Sequence, residues 1–125
     1  PLGAYQIDQV SFDEGHQFFR GEQYAAARQA FARADPAQRD PRTQFYVAYS
    51  YYREGWGRFY HDDALYRQGL EAVERAIDAS ADGRVVVTDA DLVMRSADEL
   101  KVELQRGLTP ELSDLDPRRV LRERK

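Results

Sequence analysis

Hydrophobic positions along this chain recur at intervals of three and four, the spacing of helices rather than of strands. Phe12, Gly15, Phe18 and Phe19 form the first such stripe, bounded by Asp8 or Ser11 before it and Arg20-Gly21 after it. Either Asp8 or Ser11 can cap this helix, and Ser11-x-x-Glu14 has the spacing of a capping box. A second helix runs from about Gln23, with Tyr24, Ala27, Ala30, Phe31 and Ala34 on one face, until Asp35-Pro36 stops it. Asp40-Pro41 opens a third, because Asp accepts from free N–H groups and Pro tolerates the first helical position. Gly55 closes it. Asp62 or Asp63 caps a fourth, lined by Leu65, Gly69, Val73, Ala76 and Ile77. Ala81-Asp82-Gly83 is a turn, and Val85-Val86-Val87 is too isolated to build a sheet. Thr88-x-x-Asp91 is expected to cap a fifth helix bearing Val93, Ala97, Leu100 and Leu104, with Gly107 at its end. Thr109-Pro110 and Asp116-Pro117 each join a cap to a proline and predict two short C-terminal helices.

The fold class is therefore all-α. An N-terminal tail covers 1–7, and a helical domain covers 8–108, with helix pairs 8–36 and 40–79 and a capping helix over 88–107. The C-terminal segment 109–125 ends in a basic tail. Within this plan the third helix stands apart. Phe45, Tyr49 and Tyr52 share one side, while Val47, Ala48 and Tyr51 share another. A surface helix needs only one apolar stripe, so this one has neighbours on both sides, or a neighbour and a ligand. The stretch Trp56–Asp63 then brings Trp56, Phe59 and Tyr60 onto one loop. Two readings fit: an aromatic contact loop, or a loop folded back so that Trp56 plugs the end of the helix stack.

Displacing the sequence by 33 residues sets Phe12 on Phe45, Gly15 on Ala48, Phe18 on Tyr51, Phe19 on Tyr52 and Arg20 on Arg53. A match of this kind in size and chemistry is the mark of an internal repeat. It resembles the tetratricopeptide repeat family, whose unit of about 34 residues pairs two antiparallel helices through W-x2-L-G-x2-Y, A-x3-F and P positions. The first unit supplies Gly15-x2-Phe18, Ala27-x3-Phe31-x2-Ala34 and Pro36. The second supplies Val47-Ala48-x2-Tyr51 and Gly69-x3-Val73-x2-Ala76. Ser11 and Gln44 stand where the family often has Trp, and Glu14 where it has Leu. An unrelated stack of five helices is the other architecture compatible with the pattern.

The resemblance implies a non-catalytic scaffold whose first helices line a concave groove for a peptide or partner helix. The positions it assigns to that groove are Phe12, His16, Phe19 and Arg20, then Phe45, Tyr46, Tyr49, Tyr52 and Arg53. Gln9 and Asp13 flank the first set, and Asp91, Met94, Asp98 and Lys101 are candidates from the fifth helix. Trp56 joins the partner-binding set through its loop. For Phe12, Phe19, Phe45 and Tyr52 the competing role is plain core, whereas Tyr51 matches a packing position of the family. Some members clamp a C-terminal carboxylate with asparagines; this chain has none, so that ligand is not expected. Two alternatives to a peptide scaffold stay open. One is self-assembly as a homo-oligomer, because two units are fewer than the three or so a stable array needs. The other is a small anionic ligand held in the same Tyr/Arg groove.

Composition narrows the chemistry. There is no cysteine, which removes disulfides and thiolate metal sites. No glycine-rich phosphate loop, His-Glu-x-x-His motif or local nucleophile signature appears, so neither an enzyme nor a cofactor is expected. His61-Asp62-Asp63 reads as helix capping rather than a metal site. The net charge of −4 is uneven: Arg118, Arg119, Arg122, Arg124 and Lys125 face only Glu123 within 117–125. That tail is +4 and the remainder −8. An acidic body disfavours nucleic acid and anionic membranes, and the tail reads as a solvated end. Sixteen of the 18 basic residues are Arg, a bias of the source genome or a preference for bidentate carboxylate pairing. No apolar run approaches the ~20 residues of a membrane helix. Pro1 opens the chain without methionine, so Pro1-Leu2-Gly3 reads as a processing remnant, and any export signal or membrane tether would belong to a segment not in this sequence.

Overall fold

The computed structural model describes residues 4–109 and 122–125. Its described residues are all-α, with five helices and one isolated bridge. Helix α1 (Gln9–Arg20) starts at Asp8, whose carboxylate accepts from the N–H groups of Val10 and Ser11. Ser11 is not the cap; its hydroxyl donates to Asp8 at 2.9 Å. Helix α2 (Tyr24–Ala34) follows after three turn residues. Helix α3 (Pro41–Gly55) is capped by Asp40, and α4 (Asp63–Ala79) by Asp62. The short helices expected beyond Thr109 fall in 110–121, outside the described residues.

The fifth helix is shorter than the sequence reading has it. Helix α5 spans Ala97–Leu108 and is capped by Ser96, not by Thr88. Residues 85–95 are instead committed to a turn that returns on itself. Val87 N–H donates to Arg95 O at 2.8 Å, Ala97 N–H donates to Val85 O at 2.9 Å, and Val86 bridges Ser96. Asp89 Oδ1 takes the Asp91 N–H at 3.0 Å, a local Asx turn that competes with helix nucleation. Val93, expected on the buried face, is 65% exposed, while Leu92 and Met94 are buried. Gly107 does not end the helix. It lies inside α5, where an added Cβ would stand 2.1 Å from Tyr66 Cε2.

Helices α1 and α2 pack as one antiparallel pair and α3 and α4 as another, and α3 touches all four other helices. Small residues sit where helices cross. A Cβ on Gly15 would lie 2.7 Å from the Phe31 ring, and one on Gly69 would lie 3.4 Å from Ala48 O. Positions related by the 33-residue displacement share their burial: Phe12 with Phe45 and Phe19 with Tyr52 inside, Phe18 with Tyr51 half out. Tyr51 is thus not the deep core residue expected of it. The Arg28 guanidinium covers its ring at 4.1 Å and pairs with Glu54 at 2.6 Å.

The core is aromatic. Rings follow one another from Phe31 through Phe12, Tyr46, Phe19, Tyr49 and Tyr52 to Tyr66, with centroids 5.4–5.8 Å apart. Most of these pairs meet edge to face, the arrangement favoured by ring quadrupoles. Below the row, the fully buried Asp35 carboxylate accepts from Tyr5 Oη and, at 2.9–3.0 Å, from the N–H groups of Arg39 and Asp40 and from Gln44 Nε2. Burial opposes its charge, but these bonds outweigh that and hold its pKa below the usual carboxylate value. The 56–62 loop folds back: Trp56 is half-buried, and His61 stacks on Tyr66 at 4.7 Å and accepts the Gly57 N–H at 3.0 Å. Its other aromatics, Phe59 and Tyr60, are exposed at 56% and 87%. No helix among the described residues is long and apolar enough to cross a membrane.

Candidate functional site

The expected groove residues separate into floor and rim. Phe12, Phe19, Phe45, Tyr46, Tyr49 and Tyr52 are all at most 2% exposed. The rings of Phe12, Phe19 and Phe45 therefore belong to the core rather than to a contact surface, packed against Tyr46, and Phe19 and Phe45 also against Tyr49. Met94 is buried with them. Arg20 stays exposed and pairs with Asp91 at 3.3 Å, Lys101 with Glu74 at 4.0 Å, and Gln9 donates to Asp13 at 2.8 Å. His16, Tyr46 and Arg53 keep polar atoms at the rim. Trp56 stands in the folded-back loop, with the Arg58 guanidinium 5.8 Å from its ring centre.

The tyrosine hydroxyls of α3 lead to a second finding. Residues 122–125 lie across the C-terminal end of α3, and both main-chain groups of Lys125 are held there. Tyr49 Oη donates to Lys125 O at 2.6 Å, and Arg53 Nη2 donates to the same oxygen at 3.3 Å. Lys125 N–H donates to Tyr52 Oη at 3.0 Å. Each hydroxyl uses its one proton and a lone pair: Tyr49 also accepts from Met94 N–H at 3.5 Å, and Tyr52 donates to Glu103 at 3.3 Å. Burial raises the pKa of both phenols above the ordinary value, so both stay protonated and able to donate.

Side chains complete this seat. Lys125 Nζ lies 3.5 Å from Glu103 on α5. Arg124 pairs with Glu22 in the α1–α2 turn, sits 5.6 Å from the Tyr24 ring centre, and donates to Arg53 O at 3.3 Å. That carbonyl is in the last turn of α3, where helices lack internal donors and favour cations. Arg58 reaches Arg122 O at 3.1 Å. The Arg53 guanidinium, over Phe19 at 4.9 Å and Tyr49 at 4.8 Å, forms the link between seat and core. The basic tail is thus not a free solvated end at residues 122–125.

A second polar centre lies at the other end of α3. Asp89 Oδ2 accepts from Tyr46 Oη at 2.7 Å and meets His16 Nε2 at 3.0 Å. Burial opposes the Asp89 charge, but the bonds from His16, Tyr46 and Asp91 N–H prevail and hold its pKa at about 2. Beside it opens a cavity of about 690 Å³ with Arg42, Arg84 and His16 in its wall.

Sequence reasoning identified Tyr49, Tyr52 and Arg53 but missed Glu22, Tyr24, Glu103, Arg124 and Lys125. A signal for them existed in the charge split between acidic body and basic tail. What it lacked was any pairing between positions up to 102 residues apart. Neither a protein family, nor a curated protein, nor a solved structure gives a significant match to this chain.

Proposed function

We propose that this chain is a non-catalytic interaction module of tetratricopeptide-like build, which scaffolds a protein complex by holding an extended peptide segment across the end of α3. The observation that carries this reading is the treatment of Lys125, whose main-chain N–H and main-chain oxygen are both held by tyrosine hydroxyls rooted in the core. Main-chain bonds of this kind grip any extended segment, and flanking charges select among them. The hydroxyls stand on buried rings, so the site is ordered before a ligand arrives, which lowers the entropic cost of binding.

Panning the immobilised full chain against a random peptide library tests it. The expected outcome is a set of peptides whose affinity drops at least about ten-fold, or ~1.4 kcal/mol, in the Tyr49→Phe/Tyr52→Phe double variant. The thermal melt should fall only by the worth of the lost hydrogen bonds, about 1 kcal/mol for each hydroxyl, since the rings remain. Binders indifferent to both hydroxyls would overturn the proposal. One observation favours a second reading, a small anionic ligand: the cavity walled by Arg42, Arg84 and His16. Protection of the chain against heat by inorganic phosphate, lost in Arg42→Ala and Arg84→Ala, would support it.

A further inference from the structure

The seat is already filled by the chain's own residues, and its two flanks differ in a way that points to a sequence preference. We propose that it selects an extended segment with adjacent Arg and Lys, that residues 122–125 are its resident ligand, and that a partner of the same chemistry must displace them. This rests on the peptide-binding reading and deepens it. On one flank Glu22 and the Tyr24 ring receive Arg124; on the other Glu103 receives Lys125. A planar guanidinium suits the combination of aromatic face and carboxylate, and an ammonium suits a single carboxylate.

The backbone of Glu22 supports a dedicated site. Its φ is +61°, in the left-handed region, whereas Gly21 next to it has φ −83°. Helices commonly end with a left-handed residue, and glycine takes that position without strain. Here Glu occupies it and offers its carboxylate to Arg124, so a residue that strains the turn supplies half of the Arg recognition. The resident ligand is also imperfect. Tyr24 Oη and Arg53 Nε, both beside the seat, are buried with no hydrogen-bond partner among the described residues. A segment that pairs them would bind better than the tail does. The tail holds its place through tethering, which gives a weak ligand an effective concentration of about millimolar.

The test uses full chains and a fluorescently labelled, C-terminally amidated peptide of residues 118–125, followed by anisotropy. In the Arg124→Glu/Lys125→Glu variant the tail no longer fits its flanks, and the peptide should bind at least ten-fold tighter than to wild type. A control peptide with Glu in place of Arg124 and Lys125 should not bind. Adding Glu22→Gly to that variant should weaken the peptide at least five-fold while leaving the melting temperature equal or higher, because the turn relaxes. A merely structural Glu22 would give the reverse. Adding Glu103→Lys should weaken the peptide and restore binding of a peptide carrying Glu in place of Lys125 alone. Equal affinity for wild type and tail variant, or affinity indifferent to Glu22 and Glu103, overturns the proposal. Absence of binding to both chains overturns it too, whereas the general peptide-binding reading fails only if library ligands ignore Tyr49 and Tyr52.

Discussion

Tyr49 and Tyr52 each perform two tasks, since the ring fills the core while the hydroxyl addresses Lys125. Substitution separates the tasks. Tyr52→Ala empties a ring-sized volume and should cost roughly 3–5 kcal/mol in thermal or urea melts. Tyr52→Phe should cost about 1 kcal/mol, the net worth of a hydrogen bond. Tyr51→Ala, at a half-buried site under Arg28, should cost clearly less than Tyr52→Ala. Asp35→Ala should rank with the ring deletions at about 3 kcal/mol or more, because it leaves buried donors from Arg39, Asp40 and Gln44 unpaired. At this scale the sequence was half readable. Spacings of three and four placed Tyr49, Tyr52 and Arg53 on one side, but nothing local says whether that side meets solvent, a neighbour or residues far along the chain.

Elements were more legible than residues. Asp40 caps α3 as its sequence context implies, and Asp8 and Asp62 cap α1 and α4, where Ser11 and Asp63 were the alternatives. The start of α5 was misread because two capping patterns lie close together. Ser96 is the cap that forms: Glu99 N–H donates to Ser96 Oγ at 3.2 Å, and the Ser96 hydroxyl donates to Glu99 Oε1 at 2.8 Å. The rival pattern at Thr88 is lost to the bond between Asp89 and Asp91 N–H, a contact that depends on His16 and Tyr46 holding Asp89 in place. Gly107 was read as a terminator because glycine so often is one, yet its role is contact with Tyr66. Gly107→Ala should therefore destabilise by about 1–3 kcal/mol through overpacking, whereas a terminator would tolerate Ala far better at φ < 0. Gly15→Leu should do at least as much harm, since even a methyl would meet Phe31 at 2.7 Å. Normal melting of Gly15→Leu would mean that α1 and α2 do not cross as described.

For the whole molecule, two carboxylates tie distant parts together, and both have lowered pKa values in the folded state. Such groups contribute stability that is fully present above the unfolded carboxylate pKa of about 4 and is lost as pH falls through the folded value. For Asp89 that window runs from about 4 down to about 2. The melting temperature should fall across it, and Asp89→Asn should flatten the fall while lowering stability at neutral pH. The aromatic row has a consequence of a different kind. A stack of helix pairs that touch only their neighbours is expected to open unit by unit. Here buried rings run without a break from Phe31 in α2 through α1 and α3 to Tyr66 in α4, so neither pair can leave without emptying a site in the other. Unfolding in urea should be a single all-or-none step, with near-ultraviolet dichroism from the tyrosines and far-ultraviolet dichroism from the helices tracing one superimposable curve.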